Sequence, residues 1–143
     1  TMTAALVVDN RYVFVAHTGD SRGYLLRDRK MKKLTNDHTV AATLVEDGQI
    51  TAEEAKNHRS AHILTSTIGG EEELDVDLIQ AQCRPGDRLM LCSDGLWNEL
   101  EDDEIRATLD GWADRNKAVR ELVRAAYRSG GRDNVTVLVV DLV

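Results

Sequence analysis

Apolar and polar positions alternate with the period of a strand through "AALVVDNRYVFVAHTGDSRGYLLRDRK". The spacing predicts strands near 4–9, 12–17 and 22–27, with turn-formers at Asp9 to Arg11 and Thr18 to Asp20 between them, an antiparallel meander. In "LTNDHTVAATLVEDGQITAEEAKNH" the pattern changes to helical. One helix is expected near 39–46, stopped by Gly48, and a second is opened by Thr51 with Glu54 three residues later, a capping box. Gly69 and Gly70 close a polar, loop-like stretch. "LDVDLIQAQCRPGDRLMLCSD" reads as a hairpin around "RPGD" that delivers Asp94 to a strand end. "LEDDEIRATLDG" reads as a helix whose acids crowd into the first turn, where the helix dipole favours them. In "NKAVRELVRAAYRSGG", Val119, Leu122, Val123 and Ala126 share one helical face, and Gly130 and Gly131 supply the stop. The last segment, "DNVTVLVVDLV", is apolar on both faces, so a central strand covered on both sides is expected. Without internal repeats or linkers, residues 1–143 read as one domain of strands and helices in mixed order.

Composition narrows the function classes. An apolar content of 42% is enough for a core, while aromatics at 4% leave little surface for stacking bases. The net charge of −7 argues in the same direction, since a phosphate-backbone binder needs a basic field. No nucleic-acid partner is expected. No apolar run reaches the roughly 18 residues of a membrane span, and the start lacks a signal-peptide pattern. A soluble, cytoplasmic protein is therefore expected. In the hairpin register Cys83 faces Arg88 and Cys92 faces Ile79, so the two cysteines do not pair and are expected as reduced core thiols. The chain opens at Thr1 and is already strand-like by Ala4, which suggests a fragment.

Three acids share one setting. Asp20 lies between Gly19 and Ser21, Asp94 between Ser93 and Gly95, and Asp133 precedes Asn134, each at a strand–loop junction. A carboxylate at such a position is costly to desolvate unless a donor, a counter-charge or a metal meets it. Local turn bonding is one solution and a shared cation is the other. Hard divalent ions take oxygen ligands, often from a few carboxylates plus water, and small neighbours leave room for that water. His17, His38, His58 and His62 are read as structural, since an oxygen-liganded site does not require them.

Six segments, "VAHTGDSRGYLL", "LTNDHTV", "LVEDGQIT", "ILTSTIGG", "RPGDRLMLCSDGLWNEL" and "SGGRDNVTVLVV", stand in the order and spacing of a known family. The chain resembles the metal-dependent protein serine/threonine phosphatases, the PP2C (PPM) family, and most closely its bacterial members. The resemblance implies an α+β fold, a β-sandwich of two antiparallel sheets flanked by helices, with Mn2+ or Mg2+ between the sheets at one end. It implies two ions, with a third in bacterial members. Carried over, Asp94 and Asp133 are ligands of the metal pair, and Asp20 shares the weaker third metal with Asp94. Gly19, Ser21, Ser93, Gly95 and Asn134 lie beside them. No catalytic residue is expected beyond these ligands: a water activated by the two metals attacks phosphoserine or phosphothreonine in a protein substrate, whose phosphate comes from an opposing kinase. Residues 39–67 match the family's flap, where selectivity is expected.

The resemblance also has gaps. The arginine-bearing and "DGMGG"-type motifs of the family's N-terminal part are absent, so the chain reads as the C-terminal portion of a catalytic domain with the N-terminal strands missing. In "NHRSAHILTSTIGG" the usual proline is missing and Ser66 stands where arginine is common. A chain of this kind is expected to be inactive alone and to expose apolar faces, inviting a swapped dimer or the missing N-terminal segment as partner. The alternative is a non-catalytic, pseudophosphatase-like binding module.

Overall fold

The structure is a computed structural model that describes residues 1–70 and 74–143. The chain forms β1 (Met2–Val8), β2 (Tyr12–Thr18), β3 (Arg22–Arg27), β4 (Lys30–Lys33), α1 (Val40–Glu46), α2 (Ala52–Lys56), β5 (Asp77–Gln82), β6 (Arg88–Cys92), α3 (Asp94–Trp97), α4 (Asp102–Gly111), α5 (Arg115–Ser129) and β7 (Val137–Asp141). The strands make two antiparallel sheets, one ordered β1-β2-β5 and the other β4-β3-β6-β7. Helices α3 to α5 cover the outer side of the second sheet, as the expected sandwich requires.

Two pairings differ from the sequence reading. The meander ends at β2, because the Thr18–Asp20 turn carries the chain across to the second sheet, where β3 pairs with β4 and β6. The "RPGD" segment is likewise a crossover and not a hairpin. β5 pairs with β2, and β6 pairs with β3 and β7, so Cys92 faces Arg22 and Val137 and not Ile79. Alternation fixes which side of a strand is apolar but says nothing of which strand lies beside it. Here the inter-sheet route is held by Asp87, which is buried, whose side chain accepts from the Arg84 amide and the Arg27 guanidinium and whose carbonyl accepts the Leu142 amide. β7 also departs from expectation. Among the described residues it is an edge strand, and Leu138 is half exposed. β4 was invisible because "KMKK" carries no apolar alternation; it forms through a tight turn in which Asp28 and Arg29 both take positive φ.

The core has two parts. Val13 and Val15 of the first sheet meet Leu25 and Leu89 of the second, with Cys83 and Leu142 closing the layer. On the far side of the second sheet, Tyr24, Leu26, Met90 and Cys92 pack under Leu96, Ile105, Leu109, Ala118, Leu122 and Ala126 of the helices. β3 and β6 are thus buried on both faces. The outer face of the first sheet is bare, with Leu6, Phe14 and Leu78 exposed. Of the helix caps, the capping box of α2 follows the sequence reading. Thr39 caps α1, Thr51 and Glu54 form the capping box of α2, and Asp114 caps α5. Both cysteines are buried and unpaired. No helix among the described residues is long and apolar enough to cross a membrane.

Candidate metal site

Asp20 occupies the crossover between β2 and β3. Gly19 makes this turn with φ +107°, a left-handed conformation that L side chains rarely adopt. The loop is held on one side by His38, whose ring Nδ1 accepts the Gly19 amide (3.3 Å) and whose own amide donates to the Gly19 carbonyl (2.7 Å). On the other side the Trp97 indole N–H donates to the Asp20 carbonyl (3.0 Å). The Asp20 side chain is buried. Burial pushes its carboxyl upward first, and the neighbouring Asp94 second, with Asp37 adding in the same direction and His62 opposing. Two carboxylates that repel in this way are placed to be relieved by a cation.

Contrary to the sequence expectation, Asp94 does not end the strand; β6 stops at Cys92 and Asp94 opens the single turn α3 after Ser93. Its carboxylate accepts the Gly95 amide at 2.9 Å. The Asp133 segment docks directly on this turn. The Ser93 amide donates to the Thr136 carbonyl, and the Ser93 hydroxyl accepts from the Thr136 amide and donates to the Asn134 carbonyl. A Cβ on Gly95 would stand 2.3 Å from the Asn134 carbonyl oxygen, so only glycine permits the approach. Arg132 pins the same segment to Glu99 through its amide and its Nε (2.8 Å). Asp133 itself is exposed and accepts the Asn134 amide (2.6 Å).

The fold therefore brings the Asp20 and Asp94 carboxylates near each other and lays the Asp133 backbone beside Gly95. In kind the donors suit a hard divalent cation: carboxylate oxygens flanked by Gly and Ser. In number they do not complete a shell. Among the described residues no three His, Cys, Asp or Glu side chains stand close enough together to hold a metal ion. The residues fit as a contribution to a metal site, not as its whole.

The 39–67 segment sits against this loop. Val40 donates to Ile63, Thr65 donates to His38, and Thr39 bridges Leu64. Ser66, where the family pattern has arginine, is buried; its hydroxyl pairs with that of Thr18 (3.0 Å) and accepts the Asp75 amide. The His17 and His38 rings pack 4.9 Å apart. His17 is buried between Thr3 and the Asn36 carbonyl, and burial, reinforced by His38, lowers its pKa. Sequence reasoning missed Arg22, Asp37 and Trp97. Arg22 grips Asp37 (2.6 Å) and lies 3.6 Å from the centroid of the Trp97 ring. The signal was there in the charged Arg22 of a strand otherwise buried on both faces.

Residues 1–46 match the family described as protein phosphatase 2C. Over its whole length the chain is 42% identical to the serine/threonine protein phosphatase PstP of Mycobacterium tuberculosis, of which it spans 27%. The crystal structure of that organism's serine/threonine phosphatase PstP/Ppp superposes with a TM-score of 0.91 at 41% identity, covering 98% of this chain and 58% of that one. The PstP catalytic domain in complex with two manganese ions matches with a TM-score of 0.86 at 40% identity, covering 99% and 57%.

Proposed function

We propose that this chain, which belongs to the protein phosphatase 2C family, contributes the Asp20, Asp94 and Asp133 side of a metal-dependent phosphatase centre acting on phosphoserine and phosphothreonine in proteins. The observation that carries the reading is the Trp97 N–H bond to the Asp20 carbonyl, which holds the Asp20 turn against the Asp94 turn, within a fold whose matched relatives are serine/threonine phosphatases. Bound Mn2+ or Mg2+ supplies water activation and neutralises phosphoryl charge. Asp94 and Asp133 would hold the metal pair, and Asp20 with Asp94 a third ion. Ser93 and Gly95 keep the Asp133 segment against the Asp94 turn. Residues 39–67 form the flap, tied to the Gly19–Asp20 loop through His38, and so stand where a substrate peptide would be read.

The chain spans a little over half of the solved relatives, and the described carboxylates do not close a ligand set. We infer that further polypeptide completes the centre and covers the bare face of the first sheet. A Ser/Thr kinase supplies the substrate. The buried thiols suit a reducing, cytoplasmic setting.

The test is Mn2+-dependent hydrolysis of a phosphothreonine peptide by the protein carrying this chain, with Asp94→Asn as control. Activity that falls by about 100-fold or more in the variant supports the reading. Activity without metal, or equal in the variant, overturns it. A stable protein that binds phosphopeptide without hydrolysing it marks a binding module instead.

A further inference from the structure

Asp20 and Asp94 sit on segments far apart in sequence, and a metal site needs them in a fixed relation. Groups behind the ligands set that relation. The β3–β6 ladder, which pairs Arg22 with Cys92, brings the two segments side by side, and a side-chain hydrogen bond ties the Asp20 turn itself to the Asp94 turn. Trp97, the last residue of α3, lies in the same helical turn as Asp94, and its indole N–H donates to the Asp20 carbonyl at 3.0 Å.

The indole is itself clamped. Arg22, two residues after Asp20, lays its guanidinium on the ring, with Cζ 3.6 Å from the centroid. Asp37 fixes that guanidinium through Nε (3.0 and 3.1 Å) and Nη2 (2.6 Å), and Arg22 Nη1 donates to the Tyr24 hydroxyl (3.3 Å), which in turn donates to Asp102 of α4 (3.0 Å). Lys33 is the remaining charge on Asp37. The Arg22 and Asp37 side chains keep only 17% and 11% of their exposure, so the pair is shielded from the screening that weakens surface ion pairs. Trp97 thus uses both of its chemistries, the face toward a cation and the edge toward a carbonyl.

We propose that Trp97 is a positioning residue, whose indole N–H, clamped by the Arg22–Asp37 pair, fixes the Asp20 loop relative to Asp94. The inference rests on the reading of Asp20 and Asp94 as metal carboxylates. Trp97→Phe is the informative variant, because it keeps an aromatic face for Arg22 while removing the N–H together with the five-membered ring that carries it.

The Mn2+ dissociation constant is measured by calorimetry on the complete protein carrying this chain, as the parent, Trp97→Phe, Asp20→Asn and double variants, and amide hydrogen exchange is followed in the metal-free proteins. Trp97→Phe is expected to weaken Mn2+ about tenfold, to cause no further loss in the Asp20→Asn background, and to speed exchange at residues 19–22 but not at 89–92. An affinity within about twofold of the parent, or an equal loss in both backgrounds, overturns the proposal. If the parent takes up no Mn2+, it is the phosphatase reading that falls. The brace is then decided by exchange alone: faster exchange at 19–22 in Trp97→Phe upholds it, and unchanged exchange overturns it.

Discussion

Asp37 is a single carboxylate on which two large effects act in opposite directions. Burial raises its pKa, but the hydrogen bonds and charge of Arg22, with help from Lys33, outweigh burial and leave it lowered from 3.8. A carboxyl depressed in the folded state stabilises the protein above its unfolded pKa, and that stability is lost as pH falls through the folded value. Asp37→Asn is therefore expected to cost about 3 kcal/mol at pH 7, because it strands the Arg22 charge, and the gap to the parent should close below about pH 4 in acid-unfolding curves. Gly95 gives a second residue-scale test. Its α-carbon faces the Asn134 carbonyl, so Gly95→Ala should cost about 1–3 kcal/mol in denaturant unfolding and push the Asp133 segment away. The three aspartates were legible chiefly through the family pattern, since a carboxylate beside Gly or Ser at a junction also marks an ordinary turn. Their brace was not, because Arg22, Asp37 and Trp97 touch only after folding.

Elements were legible where their signals are local. α1, α2, α4 and α5 are marked by caps, glycine stops and 3.6-residue spacing, all within a few positions in sequence. α5 buries Ala118, Leu122 and Ala126 against α3, α4 and the second sheet. Leu122→Ala should lower stability by about 3 kcal/mol, measured by denaturant unfolding. α3 was missed because one turn shows no periodicity. β6 was found, and its cysteine has a testable property: burial pushes the Cys92 thiol up to about 12. Since the thiolate is the reactive form, Cys92 should resist thiol-specific reagents in the native protein and react only on unfolding. Labelling at the rate of an exposed cysteine would contradict the packing of β6 beneath the helices.

At the scale of the molecule, the accessible surface is 8706 Å2, where a compact monomer of 15.9 kDa is expected to expose about 7,400 Å2. The bare outer face of the first sheet accounts for the direction of the excess: Leu6, Phe14 and Leu78 lie in the open beside Ala4 and Ala16. Apolar faces of this kind associate. The isolated chain is expected to sediment as a concentration-dependent oligomer, and Leu6→Lys with Leu78→Lys should shift it to monomer without altering its circular dichroism. A monomer at all concentrations would show that the face is tolerated bare.

What the sequence by itself determined was local: helix ends, strand faces, turn positions, the acidic junctions and the family pattern that joins them. Each depends on residues within about one turn or one strand, where backbone preference and alternation act. Tertiary structure decided the rest. It sent β3 and β6 to a second sheet, placed β7 at an edge among the described residues, and drew Asp20 to Asp94 through Trp97. Those outcomes depend on which buried surface fits which, and such complementarity is a property of pairs of segments that no single stretch of sequence carries.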